Sequence, residues 1–446
     1  MKFVIPLIAI CLFAGCHRNT RKANDGESAP ASVTDTTKSF QSAPAQMPFV
    51  NVYIENSGSM DGYVNGATEF KGAIRDLLVL LRFYYGDEKI NVYFINNAIH
   101  QVAASVDWAS FAQNINSYWR VGNRSNSELN SLFRMVLEKT DQQSISILLS
   151  DYIYSIPAKG SADGLLNDAK SLTKDAFLTK WKNDNLPLAT TIIKLNSKFN
   201  GRYFPYTGDA KWFQIDMERP YYMCVIGSND LMIDFNARIP LERGKVEGFD
   251  NKYIISTGLA DKIYYSVLLS TANVGRFKAS RRESAKDYVR GIEDVNMRAR
   301  GRNGNGGNQF TFAVAVDLKN VAAEEEYFTN PENYLLGDNN FRIKEIMPVD
   351  KNKINASDWL RISGANPTHL IVLEATGTAV SNVKLALKKQ IPQWVYDSNT
   401  IDDTSREKLA GKTFGLKYWV EGIAEAYQII YPDDKYFFEF EIKINK

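Results

Sequence analysis

The sequence predicts an α/β domain built on a doubly wound, mainly parallel sheet, followed by a mainly β, sandwich-like domain. Strand-like and helix-like segments alternate from residue 49 to about residue 240, which is typical of parallel strands joined by crossover helices. The strand-like runs VNVYI, INVYFI, ISILL and TTIIKL are rich in β-branched residues, as expected of strands covered on both faces. Beyond residue 243 the segments are mostly strand-like, and FTFAVAVDL and FFEFEIKIN alternate with period two.

The N-terminus predicts the cellular compartment. Residues 3–15 form one apolar run behind Lys2, which is too short to span a bilayer and matches the core of a signal peptide. The run ends in Leu-Phe-Ala-Gly before Cys16, which resembles the lipobox of bacterial lipoproteins. That resemblance implies removal of residues 1–15 and attachment of acyl chains, such as palmitate, to Cys16. We therefore expect a lipid-anchored protein of the bacterial cell envelope, at the outer membrane, and leave open which side it faces.

Residues 16–47 are rich in Ser, Thr, Ala and Asn and poor in large apolar side chains, so we predict a flexible tether. The remaining chain divides by its pattern into an α/β domain at 48–242 and a β-rich domain at 243–446. The strands predicted in the first domain are 49–56, 89–96, 144–150, 188–195 and 221–227. The helices predicted there are 68–85, 107–116, 127–139, 164–183 and 229–238, and one helix is predicted in the second domain at 418–428.

The charge balance argues against a nucleic-acid partner. The chain has 53 Lys and Arg against 51 Asp and Glu, a net charge of +2, and lacks a strongly basic domain. The partners we expect are a membrane, through the lipid anchor, and another protein.

Polar residues follow two of the predicted strands at the point where each strand ends. Glu55, Ser57 and Ser59 follow the first strand, and Asp151 follows the strand SISILLS. In an open α/β sheet, loops at the carboxyl ends of strands meet where the strand order reverses. Carboxylates and hydroxyls are hard oxygen ligands, which suit Mg²⁺, Mn²⁺ or Ca²⁺.

This pattern resembles the von Willebrand factor A family and its metal-ion-dependent adhesion site. The family has D-x-S-x-S after its first strand, a threonine before a later helix, and an aspartate after a buried strand. Ser57 and Ser59 match the serines, and Asp151 matches the later aspartate. A serine replaces the threonine: Ser127 is the first choice and Ser125 the second. The resemblance covers roughly residues 48–240.

The family position of the first aspartate is occupied here by Glu55. The longer side chain keeps the charge but adds a methylene, so it either reaches the metal directly or holds a water beside it. The resemblance implies that a divalent cation, Mg²⁺ or else Mn²⁺ or Ca²⁺, binds an acidic group of a partner protein, without enzymatic activity. The implied ligands are Glu55, Ser57, Ser59, Ser127 and Asp151. Two alternatives stay open: a metal-free envelope scaffold, and a glycan-binding or hydrolytic envelope protein.

Overall fold

The computed structural model describes residues 47–103, 105–125, 128–155, 160–206, 212–257, 262–297, 310–337, 340–377 and 381–445. The signal peptide, Cys16 and the tether up to residue 46 lie outside these ranges, so their predictions stay predictions. Within the ranges, no helix is both long and apolar enough to cross a membrane.

The first half of the described chain builds one large sheet. Its strands are β1 (Phe49–Glu55), β2 (Ile90–Ile95), β3 (Ile99–Gln101), β4 (Ser144–Ser150), β5 (Leu188–Tyr203), β6 (Phe213–Ser228) and β7 (Phe249–Ile255). Their order is β3-β2-β1-β4-β6-β5-β7. β1 pairs in parallel with β2 and with β4, whereas each of the other neighbouring pairs is antiparallel.

The sheet is therefore mixed, and the expectation of a mainly parallel sheet is wrong. The difference arises at β5 and β6, each 16 residues long, which pair antiparallel from Leu188 with Ser228 to Tyr203 with Phe213. Parallel neighbours need a long crossover connection, whereas consecutive antiparallel strands need only a short loop. The sequence pattern predicted only the buried ends of these strands, at 188–195 and 221–227.

Helices cover both faces of the sheet, as the alternating pattern predicted. They are α1 (Glu69–Tyr85), α2 (Trp108–Phe111), α3 (Leu129–Lys139), α4 (Ala162–Asp184) and α5 (Asn229–Arg238). Side chains of α1, α2 and α5 share one core cluster with inward residues of β1 and β4, and side chains of α3 and α4 share a second cluster. The predicted helix 107–116 is shorter than expected, since only Trp108–Phe111 is α-helical.

The second half of the described chain is mainly β. Its strands are β8 (Tyr265–Val267), β9 (Arg276–Ala279), β10 (Gly291–Asn296), β11 (Thr311–Val316), β12 (Tyr334–Leu336), β13 (Phe341–Pro348), β14 (His369–Ala375), β15 (Val383–Lys388), β16 (Asn399–Thr400), β17 (Thr413–Phe414) and β18 (Tyr436–Ile444). Its helices are α6 (Glu325–Phe328), α7 (Ala356–Ile362), α8 (Gln393–Asp397), α9 (Arg406–Leu409) and α10 (Leu416–Ile430).

Two sheets of this half enclose a common core. One has the order β12-β15-β18-β10-β9 and the other β13-β14-β11-β8. Apolar side chains of both sheets belong to a single buried cluster that includes Phe312, Leu373 and Phe440. This arrangement is sandwich-like, as the strand pattern predicted.

Two elements from beyond residue 242 belong to the first sheet and its layers. β7 pairs with β5 at the sheet edge. The predicted helix at 418–428 is confirmed as α10, and its Trp419 packs in the same buried cluster as α3 and α4. The described residues form a single compact unit.

Candidate functional site

The candidate site lies where two parallel strands end side by side. Glu55 is the last residue of β1, and Asp151 directly follows β4, which pairs with β1 in parallel. The helices that follow β1 and precede β4, α1 and α3, cover opposite faces of the sheet. The chain therefore changes faces at this point, which is where open α/β sheets bind ligands.

Hydroxyl groups surround the Glu55 carboxylate. Ser57 Oγ donates to Glu55 Oε1 at 2.7 Å, and Ser150 Oγ donates to Glu55 Oε2. Ser57 Oγ also lies 3.0 Å from Ser59 Oγ, and Ser59 hydrogen-bonds Asp151. A continuous series of hydrogen bonds thus connects the two acids through the two serines of the motif.

Both carboxylates are removed from solvent, with Glu55 3% and Asp151 4% exposed. Burial, and then the negative charge of Glu55, raise the pKa of Asp151 from 3.8 to about 7. Hydrogen bonds from Ser59 and from the Ile153 amide, at 3.3 Å, oppose this shift. Two like charges that are buried near each other disfavour the ionised form of Asp151. A cation between the two carboxylates would relieve this repulsion.

A second loop holds the motif loop in place. Arg124 Nε donates to the Asn56 carbonyl at 2.6 Å, and the Gly58 amide donates to the Arg124 carbonyl at 3.1 Å. The Asn56 amide group donates to the carbonyls of Trp119 and Val121 at 2.8 and 3.1 Å. The segment between β3 and α3 is therefore fixed against the loop that carries the serines.

The same segment accounts for Asp61. Trp119 Nε1 donates to Asp61 Oδ1 at 2.8 Å, and Arg124 forms an ion pair with the same carboxylate. Asp61 thus stabilises the contact between the two loops and points its charge at Arg124.

Ser127, the serine predicted for the threonine position, lies outside the described residues. Ser125, the second choice, is exposed and donates to Asn123 Oδ1 at 2.6 Å. The structure therefore brings Glu55, Ser57, Ser59 and Asp151 together and leaves the fifth ligand a prediction.

The β5–β6 hairpin packs on the short 3-10 helix Gly58–Tyr63, which begins within the motif. The contact is close: a Cβ on Gly62 would lie 2.4 Å from a ring carbon of Phe199, and a Cβ on Gly201 would lie 2.7 Å from the Cα of Gly62. Tyr63 adds a hydrogen bond of 2.6 Å to the Pro220 carbonyl. Glycine is thus required at 62 and 201 so that the hairpin can approach the motif.

The far end of this hairpin is held by the C-terminal half of the chain. Asp403, which is fully buried, accepts hydrogen bonds from the Tyr203 hydroxyl at 2.8 Å and from the Tyr206 amide. Burial raises the pKa of Asp403. The C-terminal half therefore contributes to the support of the site, although it lies some 350 residues from Glu55 in sequence.

The oxygen set fits a hard divalent cation in chemistry. Two carboxylates and two hydroxyls are ligands that Mg²⁺, Mn²⁺ and Ca²⁺ accept. The described ranges contain no group of three or more His, Cys, Asp and Glu side chains able to hold a metal ion. A cation here would therefore depend on hydroxyls, water or a partner for the rest of its ligands.

Comparison with known proteins gave no match to a family model, a curated protein or a solved structure. The von Willebrand A resemblance accordingly rests on the motif residues and on the position of the loops.

Two residues of the site were not predicted from the sequence. Ser150, the last residue of β4, contacts Glu55, and its signal was a small polar residue directly after the apolar run Ile147–Leu149 and before Asp151. Arg219 lies in β6 just before the buried run YYMCVIG, and its charge lowers the pKa of Asp151. Nothing in the local pattern distinguishes Arg219 from a surface arginine.

Proposed function

We propose that this protein is a lipid-anchored envelope protein whose von Willebrand A-like portion binds a partner protein through a divalent cation. The main observation in support is that four oxygen-bearing side chains lie together at the carboxyl ends of two adjacent parallel strands: Glu55, Ser57, Ser59 and Asp151. The lipobox-like sequence at Cys16 supports the anchor, and Ser127 is the proposed fifth ligand.

In this proposal the acids supply charge and the serines supply neutral oxygens. Asp151 is the residue that gains most from a cation, since burial and Glu55 both disfavour its ionised form. Glu55 is held by two hydroxyl donors and contributes the second charge. When bound, the cation would offer a coordination position to an acidic side chain of the partner.

Calorimetric titration of the folded protein with Mg²⁺ and Mn²⁺ tests the metal. We expect heat of binding and a rise in melting temperature for the wild type, and neither for Asp151→Ala. Asp358→Asn is a matched control, because Asp358 is another buried acid of the same chain but accepts its hydrogen bonds from residues 269–271 of the β-rich half, away from the motif. Wild-type protein that shows no heat and no thermal shift at saturating metal would contradict the proposal.

Affinity capture from membranes, with and without EDTA, tests the partner. Metal-dependent recognition predicts that a captured protein is lost on chelation and is recovered by added Mg²⁺. Asp151→Ala should capture the same protein weakly under both conditions.

A second candidate is a metal-free scaffold of the envelope. The observation in its favour is that Arg219 already interacts with Asp151, so this acid has a partial counter-charge within the protein. Equal partner capture with and without chelator would favour this candidate over the metal-dependent one.

A further inference from the structure

Arg219 is a buried cation that forms no ion pair with a carboxylate of the described residues. The residue is 1% exposed, and within the described residues neither Nη1 nor Nη2 has a hydrogen-bond partner of regular geometry. The guanidinium lies over the ring of Tyr203, with 4.7 Å between Cζ and the ring centroid. The hydroxyl of Tyr63 is its one neutral hydrogen-bonding neighbour among the described residues. A buried charge without a carboxylate beside it is costly, so its retention calls for a compensating field.

The acids of the motif supply that field. The hydroxyl of Tyr63, which donates to the Pro220 carbonyl, interacts electrostatically with Arg219, Asp151 and Glu55 alike. Arg219 itself interacts electrostatically with Asp151. Arg219 stands three residues before Tyr222, which pairs with Ser150 at the end of β4, so β6 carries a positive charge to the end of the sheet where Asp151 lies.

We infer that Arg219 is a built-in counter-cation of the Glu55–Asp151 pair and that it limits how tightly the site holds a divalent ion. The inference rests on the proposed metal-binding function and concerns its regulation. Without metal, Arg219 offsets one of the two negative charges. With metal, the same fixed charge repels the incoming cation, because Arg219 is buried and its charge is weakly screened.

The direction of the change in metal affinity distinguishes the loss of a repelling charge from a general loss of stability. A substitution that only loosens the fold would weaken metal binding or leave it unchanged. Removing a repelling charge strengthens it, and we expect Arg219→Met to bind Mg²⁺ and Mn²⁺ roughly tenfold more tightly than the wild type.

The experiment is a calorimetric titration of the folded wild type and four variants with Mg²⁺ and with Mn²⁺. Arg219→Met and Arg219→Gln remove the charge, and both should bind more tightly, whereas Arg219→Lys keeps the charge and should stay near the wild type. Lys194→Met is a matched control in place of a surface variant. Lys194 is a buried cation on β5, but its partner is Asp250, at 2.9 Å, and its loss should leave the affinity unchanged.

Unchanged or weaker binding in both neutral Arg219 variants, with wild-type binding intact, overturns the inference and leaves the proposed function standing. Absence of binding in the wild type is a failure of the proposed function instead. A double-mutant cycle in EDTA then decides the inference by itself. Arg219→Met should lower the melting temperature more in the wild-type background than in Asp151→Asn, and equal decreases in the two backgrounds overturn the counter-cation role.

Discussion

Replacing Asp151 by asparagine should stabilise the metal-free protein at neutral and alkaline pH. The pKa of Asp151 is raised from 3.8 to about 7 by burial and by Glu55, so between these values the folded chain holds a proton that the unfolded chain has released. Stability therefore falls as the pH rises from about 4 to about 7 and stays low above it. Asparagine has no such titration.

The expected size follows from the shift. One pKa unit corresponds to about 1.4 kcal/mol, so the full shift is worth at most about 4 kcal/mol at pH 8. Asparagine weakens the hydrogen bonds that Ser59 and the Ile153 amide make to the carboxylate, which costs about 1 kcal/mol each. We expect Asp151→Asn to be more stable than the wild type by about 2 kcal/mol at pH 8, and to be equal or less stable at pH 4.

Urea unfolding in EDTA, followed from pH 4 to pH 8, measures the difference between the two proteins. The quantity of interest is the change of that difference with pH, because the titrations of all other groups cancel in it. Addition of Mg²⁺ at about one hundred times its dissociation constant should then stabilise only the wild type, by about 2.7 kcal/mol. A difference that is constant over this range, or that favours the wild type increasingly as the pH rises, would refute the reasoning.

Three further predictions concern the support of the site. Gly62→Ala should lower the free energy of unfolding by about 1–3 kcal/mol in thermal or urea unfolding, because the new Cβ would overlap the ring of Phe199. The control Gly364→Ala, whose Cβ would have nothing within 4 Å, should change that free energy by no more than about 0.5 kcal/mol. Glu55→Asp should lose the contact with Ser150 and about 1 kcal/mol in urea unfolding with EDTA, and an unchanged midpoint would contradict that contact. A fragment of residues 48–242 should lack a cooperative thermal transition and a near-ultraviolet circular dichroism signal, because it leaves out β7 and α10. A sharp thermal transition of the fragment would show that these two elements are dispensable.

The strands that carry the site were predictable because they are buried on both faces. β1 and β4 are mostly apolar runs with polar residues at their carboxyl ends, and this pattern indicates parallel central strands with loops at those ends. The approach of Glu55 and Asp151 follows from that placement. The local sequence pattern and the tertiary structure agree here, so the proximity of the motif residues could be predicted from the sequence.

The support of the site was not predictable in the same way. Tyr203 and Asp403 are 200 residues apart, and neither lies in a pattern that points to the other. β5 and β6 continue well beyond their apolar ends, and their outer parts alternate buried and exposed residues, as does any strand packed on one side. Long-range pairing of this kind decides where Arg219 lies, and the sequence alone contains no local signal for it.

The glutamate at the first acidic position is explained by its neighbour on β4. The extra methylene brings one carboxylate oxygen to Ser150 and the other to Ser57, so Glu55 bridges the ends of two strands. Burial and the charge of Glu55 raise the pKa of Asp151, so the ionised form of Asp151 is disfavoured in the metal-free protein. A cation beside Asp151 would offset that repulsion. It follows that the metal affinity of this chain should depend on Asp151 and on the opposing charge of Arg219 more than on the length of the first acid.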